Sequence, residues 1–113
     1  MPSLTLRLYL DPKGRLGPGK IELLEQIAAT GSISAAARAM EMSYKRAWDL
    51  VEEMKDMFGK PLVVAKTGGK HGGGAELTEV GEQVIRQFRD MERAVYEAAA
   101  PHIKALQAEA DTK

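Results

Sequence analysis

Between positions 4 and 10 every even residue is leucine, with Thr5, Arg7 and Tyr9 between them. Strict alternation predicts a half-buried strand. Turn signals follow at 11–14 and 17–19. A lone strand needs a partner edge, within its own domain or across a dimer. From Pro18 the period changes. Ile21, Leu24 and Ala28, widened by Leu23 and Ile27, predict a helix to about Ala29, which Gly31 ends. Ser32 is placed to cap a second helix carrying Ile33, Ala36, Ala37 and Met40 on one face. Glu41 and Met42 make a turn. Ser43 caps a third helix, with Ala47, Leu50, Val51, Met54 and Phe58 on its buried side. The alanines of the second helix allow its backbone to approach closely.

Gly59 ends the third helix and Pro61 prevents its resumption. A β-rich run at 62–66, a glycine-rich basic loop at 67–74 and a short run at 75–77 read as strand, loop and strand. Thr78 then caps a last helix, with Glu79 and Glu82 near its positive end. Val80, Val84, Phe88, Met91, Val95 and Ala98 run down one face, continued by Ile103 and Leu106. That stripe is longer than a small three-helix core can cover. The surplus predicts a partner helix, most simply the same helix of a second subunit, with Val84, Phe88, Met91 and Val95 as dimerisation residues. Pro101 is expected to kink or divide the helix near Ala100, and residues 109–113 to fray.

The expected fold is therefore α+β: a winged helix-turn-helix with an N-terminal strand, a Gly-rich wing hairpin and a long C-terminal dimerisation helix. The 113 residues make one domain. The helix-turn-helix covers about 32–58, the wing about 62–77 and the long helix about 78–108, with no separate ligand-sensing domain expected.

Composition narrows the function. No cysteine is present, which removes disulfides, zinc knuckles and thiol chemistry. No apolar run approaches the roughly 18 to 20 residues of a membrane span, and no signal-peptide pattern opens the chain. A cytoplasmic protein without membrane partners is expected. Sixteen bases balance sixteen acids, which at first argues against nucleic acid. The distribution argues otherwise. Residues 1–47 and 60–75 each carry a net +3, and residues 48–59 and 76–113 each carry −3. Segregation of this kind can make one basic face on a neutral protein.

Two capped helices with a small-residue contact and a basic leading end describe a helix-turn-helix, whose second helix enters the DNA major groove. Lys45 and Arg46 are the leading contact candidates, arginine being able to make a bidentate contact to guanine. The competing reading is two solvated surface bases. Tyr44 can reach a phosphate or stack on a sugar, or else lie as an apolar lid, and Trp48 is expected to be mostly packing. Ser32 and Ser34 can set hydroxyls and N–H groups against a phosphate, although plain capping explains both. Lys66, Thr67, Lys70 and His71 are wing candidates against the alternative of a merely mobile loop. A P-loop would need glycine and Ser or Thr where Val64 and His71 stand. His71 and His102 are too isolated to suggest a metal site. The methionines read as core filler and the acids of the last helix as a solvated face. No nucleophile–base pair is visible, so neither an enzyme nor a cofactor is expected.

The motif Ser43-Tyr44-Lys45-Arg46-Ala47-Trp48-Asp49, with the glycine-rich 67–75 segment and Leu77-Thr78, resembles the DNA-binding half of the molybdate-responsive transcriptional regulators, the ModE type. The likeness runs from about Leu4 to Val95. A broader similarity to the LysR-type winged helix lies in 31–37 and 77–81. The resemblance implies a homodimer on an inverted-repeat operator in double-stranded DNA, and adds Ser43 and Asp49 to the contact candidates. It also implies control of molybdate transport or other molybdenum-related genes, with molybdate sensed in small C-terminal β-barrel domains. A separate molybdate-sensing chain is a candidate partner in their place. His71 interrupts what would otherwise be a nearly continuous glycine run. A winged-helix module that holds a protein partner, without specific DNA binding, is the alternative reading, and an oxyanion-binding protein a third.

Overall fold

The computed structural model describes residues 2–12, 14–66 and 74–112. The alternation at the N-terminus is realised in burial: Leu4, Leu6, Leu8 and Leu10 are half-buried, whereas Thr5, Arg7 and Tyr9 are exposed. Only β1 (Leu8–Tyr9) forms a ladder, pairing antiparallel with β2 (Arg15–Leu16) in the register Leu8 to Leu16 and Tyr9 to Arg15. The partner edge is thus within the chain, in a stretch that the turn residues on either side conceal.

Helix α1 (Pro18–Thr30) starts on Pro18, whose missing N–H costs nothing in a first turn, and ends on Gly31 in the left-handed conformation at φ 71°. The Gly31 N–H returns to the Ile27 carbonyl at 2.8 Å. Ile21, Leu23, Leu24 and Ile27 are fully buried. Ala28 departs from the expected stripe: it lies two turns beyond Ile21 on the same side and is exposed, while Ile27 beside it is buried.

Helix α2 (Ile33–Ala39) and helix α3 (Tyr44–Phe58) form the hairpin. Ser32 Oγ accepts from Ala35 N and Ser43 Oγ from Arg46 N, each at 3.0 Å. Between the helices Glu41 takes φ 56°, and the Met42 N–H reaches the Ala37 carbonyl at 2.9 Å. Ala36 and Ala37 are buried against Ala47, Leu50, Val51 and Met54 of α3. Small side chains at this contact let the two backbones come close.

Strands β3 (Val63–Lys66) and β4 (Gly74–Leu77) pair antiparallel. Ala75 N donates to Gly31 O at 2.8 Å, which ties the returning strand to the end of α1. Gly74 is required there, since a Cβ would sit 2.6 Å from that same oxygen. Helix α4 (Glu79–Asp111) begins at Thr78, whose hydroxyl accepts from Gly81 N and donates to Pro61 O.

The helix continues through Pro101 without a break, against the expected division. Proline removes one hydrogen bond there, and the neighbouring turns hold in a segment that is exposed. Two further corrections fall on α4. Phe88 is 2% exposed within a single chain, so it belongs to the core and offers no surface for dimerisation. Glu92 is buried rather than solvated, and accepts from Arg89 at 2.7 Å. No helix is long and apolar enough to cross a membrane among the described residues.

Candidate nucleic-acid interface

The start of α3 projects from the core because its buried face begins only at Ala47. Successive helical residues are rotated by about 100°, so Lys45 and Asp49 point directly away from the side formed by Ala47, Leu50, Val51 and Met54. Their charges pair at 3.0 Å, the lysine side chain being 84% exposed. Such an exposed pair contributes a few tenths of a kcal/mol, about 0.3–0.5, so either partner can be recruited by a ligand at little cost.

Tyr44 and Trp48 lie one turn apart and are 55% and 45% exposed. The expectation that Trp48 mostly packs is overturned. Periodicity left it on the edge of the apolar face, and its indole finds no core to enter. Half-exposed Tyr44 and Trp48 beside Lys45 and Asp49 give this surface donor, acceptor and apolar side chains together. That mixture is what base edges and thymine methyl groups require.

Arg46 lies to one side. It shares a cleft with Arg7, Arg15 and Lys20 rather than standing beside Lys45 on the outer face. Ser32 caps α2 through its oxygen, which leaves the hydroxyl proton free to donate. Ser34 Oγ accepts from Arg38 Nη1 at 3.0 Å, placing a guanidinium on the first turns of α2. Ser43 is occupied as a cap in the same way as Ser32. Lys66 is exposed at the end of β3. Thr67, Lys70 and His71 lie outside the described residues.

Ser32, Ser34, Ser43, Tyr44, Lys45 and Asp49 are therefore brought onto the leading ends of α2 and α3, and Lys66 onto the wing. Two functional candidates were missed in the sequence: Trp48 as an exposed residue, and Arg7 with Arg15 on the N-terminal hairpin. For Arg7 the signal was present in the strand alternation, which put it on the outward face; Arg15 had none.

On α4 the expected dimerisation residues divide. Val84 and Met91 are partly buried against the chain's own core and Val95 is half-buried. Val84 and Met91 border an apolar groove of about 620 Å³, also lined by Leu8, Leu10, Phe58 and Val80. Farther along, Tyr96 donates to the Leu4 carbonyl at 2.8 Å, and Leu106 is 70% exposed. No cluster of three His, Cys, Asp or Glu able to hold a metal occurs among the described residues.

The chain is similar to known proteins in sequence and in fold. The chain is 45% identical over 92 residues to the molybdenum-pterin-binding protein MopB of Rhodobacter capsulatus, a match covering 81% of this chain and 34% of MopB. It is 44% identical over 86 residues to the DNA-binding transcriptional dual regulator ModE of Escherichia coli strain K12, covering 76% and 33%. With the molybdenum transport protein ModE of Azotobacter vinelandii it shares 42% over 87 residues, covering 77% and 32%. The chain spans about a third of the length of these curated relatives. Among solved structures, the CbnR DNA-binding domain in a DNA complex matches with a TM-score of 0.59 at 17% identity, over 78% of this chain and 95% of that one. The regulator LysG of Corynebacterium glutamicum matches with a TM-score of 0.58 at 24% identity, over 80% and 29%. At these identities the likeness shows the fold, a winged helix-turn-helix. The family model for bacterial regulatory helix-turn-helix proteins of the lysR family matches residues 19–82, and the chain belongs to that family.

Proposed function

We propose that this chain is the DNA-binding part of a transcriptional regulator of molybdenum-related genes, acting as a homodimer in the cytoplasm. The observation that carries the reading is the leading end of α3, where Tyr44, Lys45, Trp48 and Asp49 stand exposed on a helix held by the Ser43 cap. In the major groove, Lys45 and Asp49 separate, the lysine turning to guanine O6/N7 and the carboxylate to a cytosine amino group. Tyr44 and Trp48 lie against sugars and thymine methyls. The hydroxyl of Ser32 and the N–H groups of the first turn of α2 take a phosphate, and Lys66 brings charge from the wing.

Molybdenum as the theme comes from the relatives, whose names connect them with molybdenum transport and with regulation. Dimerisation is supported by α4. At 33 residues it is about 50 Å long, and the half beyond Val95 leaves Leu106 in solvent. A two-fold dimer presents two copies of α3 and so reads an inverted repeat. Binding of molybdate belongs to a further sensing segment or chain.

The test is a fluorescence-anisotropy titration of duplexes taken from upstream of molybdenum-transport genes, against a mixed-sequence duplex, with and without molybdate. One upstream duplex should bind at least tenfold more tightly than the mixed sequence, equally with and without molybdate. Equal affinity for every duplex would contradict sequence-specific regulation. Binding to none of them would favour the protein-interaction module.

A further inference from the structure

A cleft of about 530 Å³ lies between the N-terminal hairpin, the start of α1 and the side of α3. Arg7, Arg15, Lys20 and Arg46 line it, and among the described residues Glu53 is the one acid on its wall. Glu53 is already engaged by Lys20, whose Nζ lies 3.5 Å from its carboxylate and donates to the Arg15 carbonyl at 2.7 Å. Among the described residues, none of the guanidiniums of Arg7, Arg15 and Arg46 has a carboxylate within ion-pair distance. Three such guanidiniums around one cleft repel each other, a cost that a bound anion would relieve. Elsewhere Arg89 meets Glu25 and Glu92 and Arg93 meets Asp90, while Arg38 and Arg86 bond the neutral side chains of Ser34 and Gln83 on their own helices. The cleft differs in gathering three arginines from three segments of the chain around one space.

We propose that this cleft binds a backbone phosphate of the DNA duplex, outside the major-groove segment that α3 reads. The inference rests on the DNA-binding reading above and extends its footprint. Arg46 connects the two surfaces, since it belongs to the first turn of α3 and also forms a wall of the cleft. The opposite end of α1 carries the wing, through the bond from Ala75 N to Gly31 O. Thirteen residues separate hairpin from wing along α1, about 20 Å of helix. Two basic elements therefore bracket the reading helix, one at each end of α1. Arginine is suited to the role because its planar fork meets two phosphate oxygens at once. In this arrangement Arg46 positions the protein on the backbone, and sequence reading falls to Lys45 and its neighbours.

The test compares wild type with an Arg7→Gln/Arg15→Gln double variant and an Arg7→Lys/Arg15→Lys double variant. Affinity for a mixed-sequence 30-base-pair duplex is measured as a function of salt. Each phosphate contact contributes about 0.9 to the slope of log affinity against log salt. The glutamine variant should lose about tenfold in affinity at low salt, and its slope should be shallower by about 1, the share of one phosphate, with an unchanged melting temperature. The lysine variant should keep the wild-type slope. A glutamine variant with wild-type affinity and slope would overturn the proposal while leaving the DNA-binding reading intact. So would loss of slope in both variants, because charge would then not be the cause. Failure of the wild type itself to bind the duplex would instead strike the DNA-binding reading on which the proposal stands.

Discussion

Arg89 of α4 grips Glu25 of α1 with two hydrogen bonds, Nη2 to Oε1 at 2.6 Å and Nε to Oε2 at 3.0 Å. Its remaining nitrogen, Nη1, donates to the buried Glu92 at 2.7 Å. The bonds to Glu25, and secondarily to Glu92, raise the guanidinium's pKa well above its ordinary value, so the charge is fixed at any working pH. The pair lies about one-third exposed, which screens part of the attraction. It still joins the long helix to the helix that carries the wing, across 64 residues of sequence.

Arg89→Ala should therefore cost about 2 kcal/mol in urea unfolding, because it strands Glu92 with no partner as well as breaking the link to Glu25. Glu25→Ala should cost less, about 1 kcal/mol, since it leaves Arg89 still paired with Glu92. A double-mutant cycle on Glu25 and Arg89 should return a coupling of about 1 kcal/mol. Strict additivity would mean that the two helices are held together by apolar contact alone.

Two glycines in helices should respond in opposite directions to the same substitution. A Cβ on Gly81 would collide with the Leu62 carbonyl, whereas one on Gly19 meets nothing within 4 Å. Gly81→Ala must push α4 off the wing, at a cost of about 1–3 kcal/mol. Gly19→Ala should be neutral or stabilise by about 0.5 kcal/mol through lower chain entropy. Thermal melts of the two variants decide this.

Much of the fold could be read from local rules. The caps Ser32, Ser43 and Thr78 hold their helices as their positions imply, and Gly31 and Gly59 both end helices in the left-handed conformation. These are short-range effects, written within four or five residues. What escaped the sequence is long-range. The Arg89–Glu25 link leaves no periodic trace, and Glu92 looked like one acid among several on a charged helix. Phe88 fell on a continuous stripe, and sequence could not say where the chain's own core stops covering it. Arg7 and Arg15 meet only because the hairpin closes on itself, through a pairing that two-residue strands barely signal. In the candidate site, the residues of α3 were legible by type and position, but their directions were not. Burial of Ala47, Leu50, Val51 and Met54 set those directions.

The uncovered end of α4 should hold the subunits together. Ile103 is half-buried and Leu106 70% exposed on that segment. Ile103→Glu/Leu106→Glu should raise the dimer dissociation constant at least tenfold in sedimentation equilibrium, with little change in monomer stability. It should also weaken binding to an inverted repeat far more than binding to a half-site. An unchanged dissociation constant would move the contact to the apolar groove beside Val84 and Met91.

The most direct measurement is the ratio of affinities for a duplex selected from a randomised pool and for a mixed-sequence duplex, in wild type and in Lys45→Ala. A side chain that reads a base contributes about 1–3 kcal/mol of discrimination. If α3 reads the major groove through Lys45, the ratio should fall about tenfold or more in the variant, while mixed-sequence affinity falls only slightly. An unchanged ratio would contradict the account.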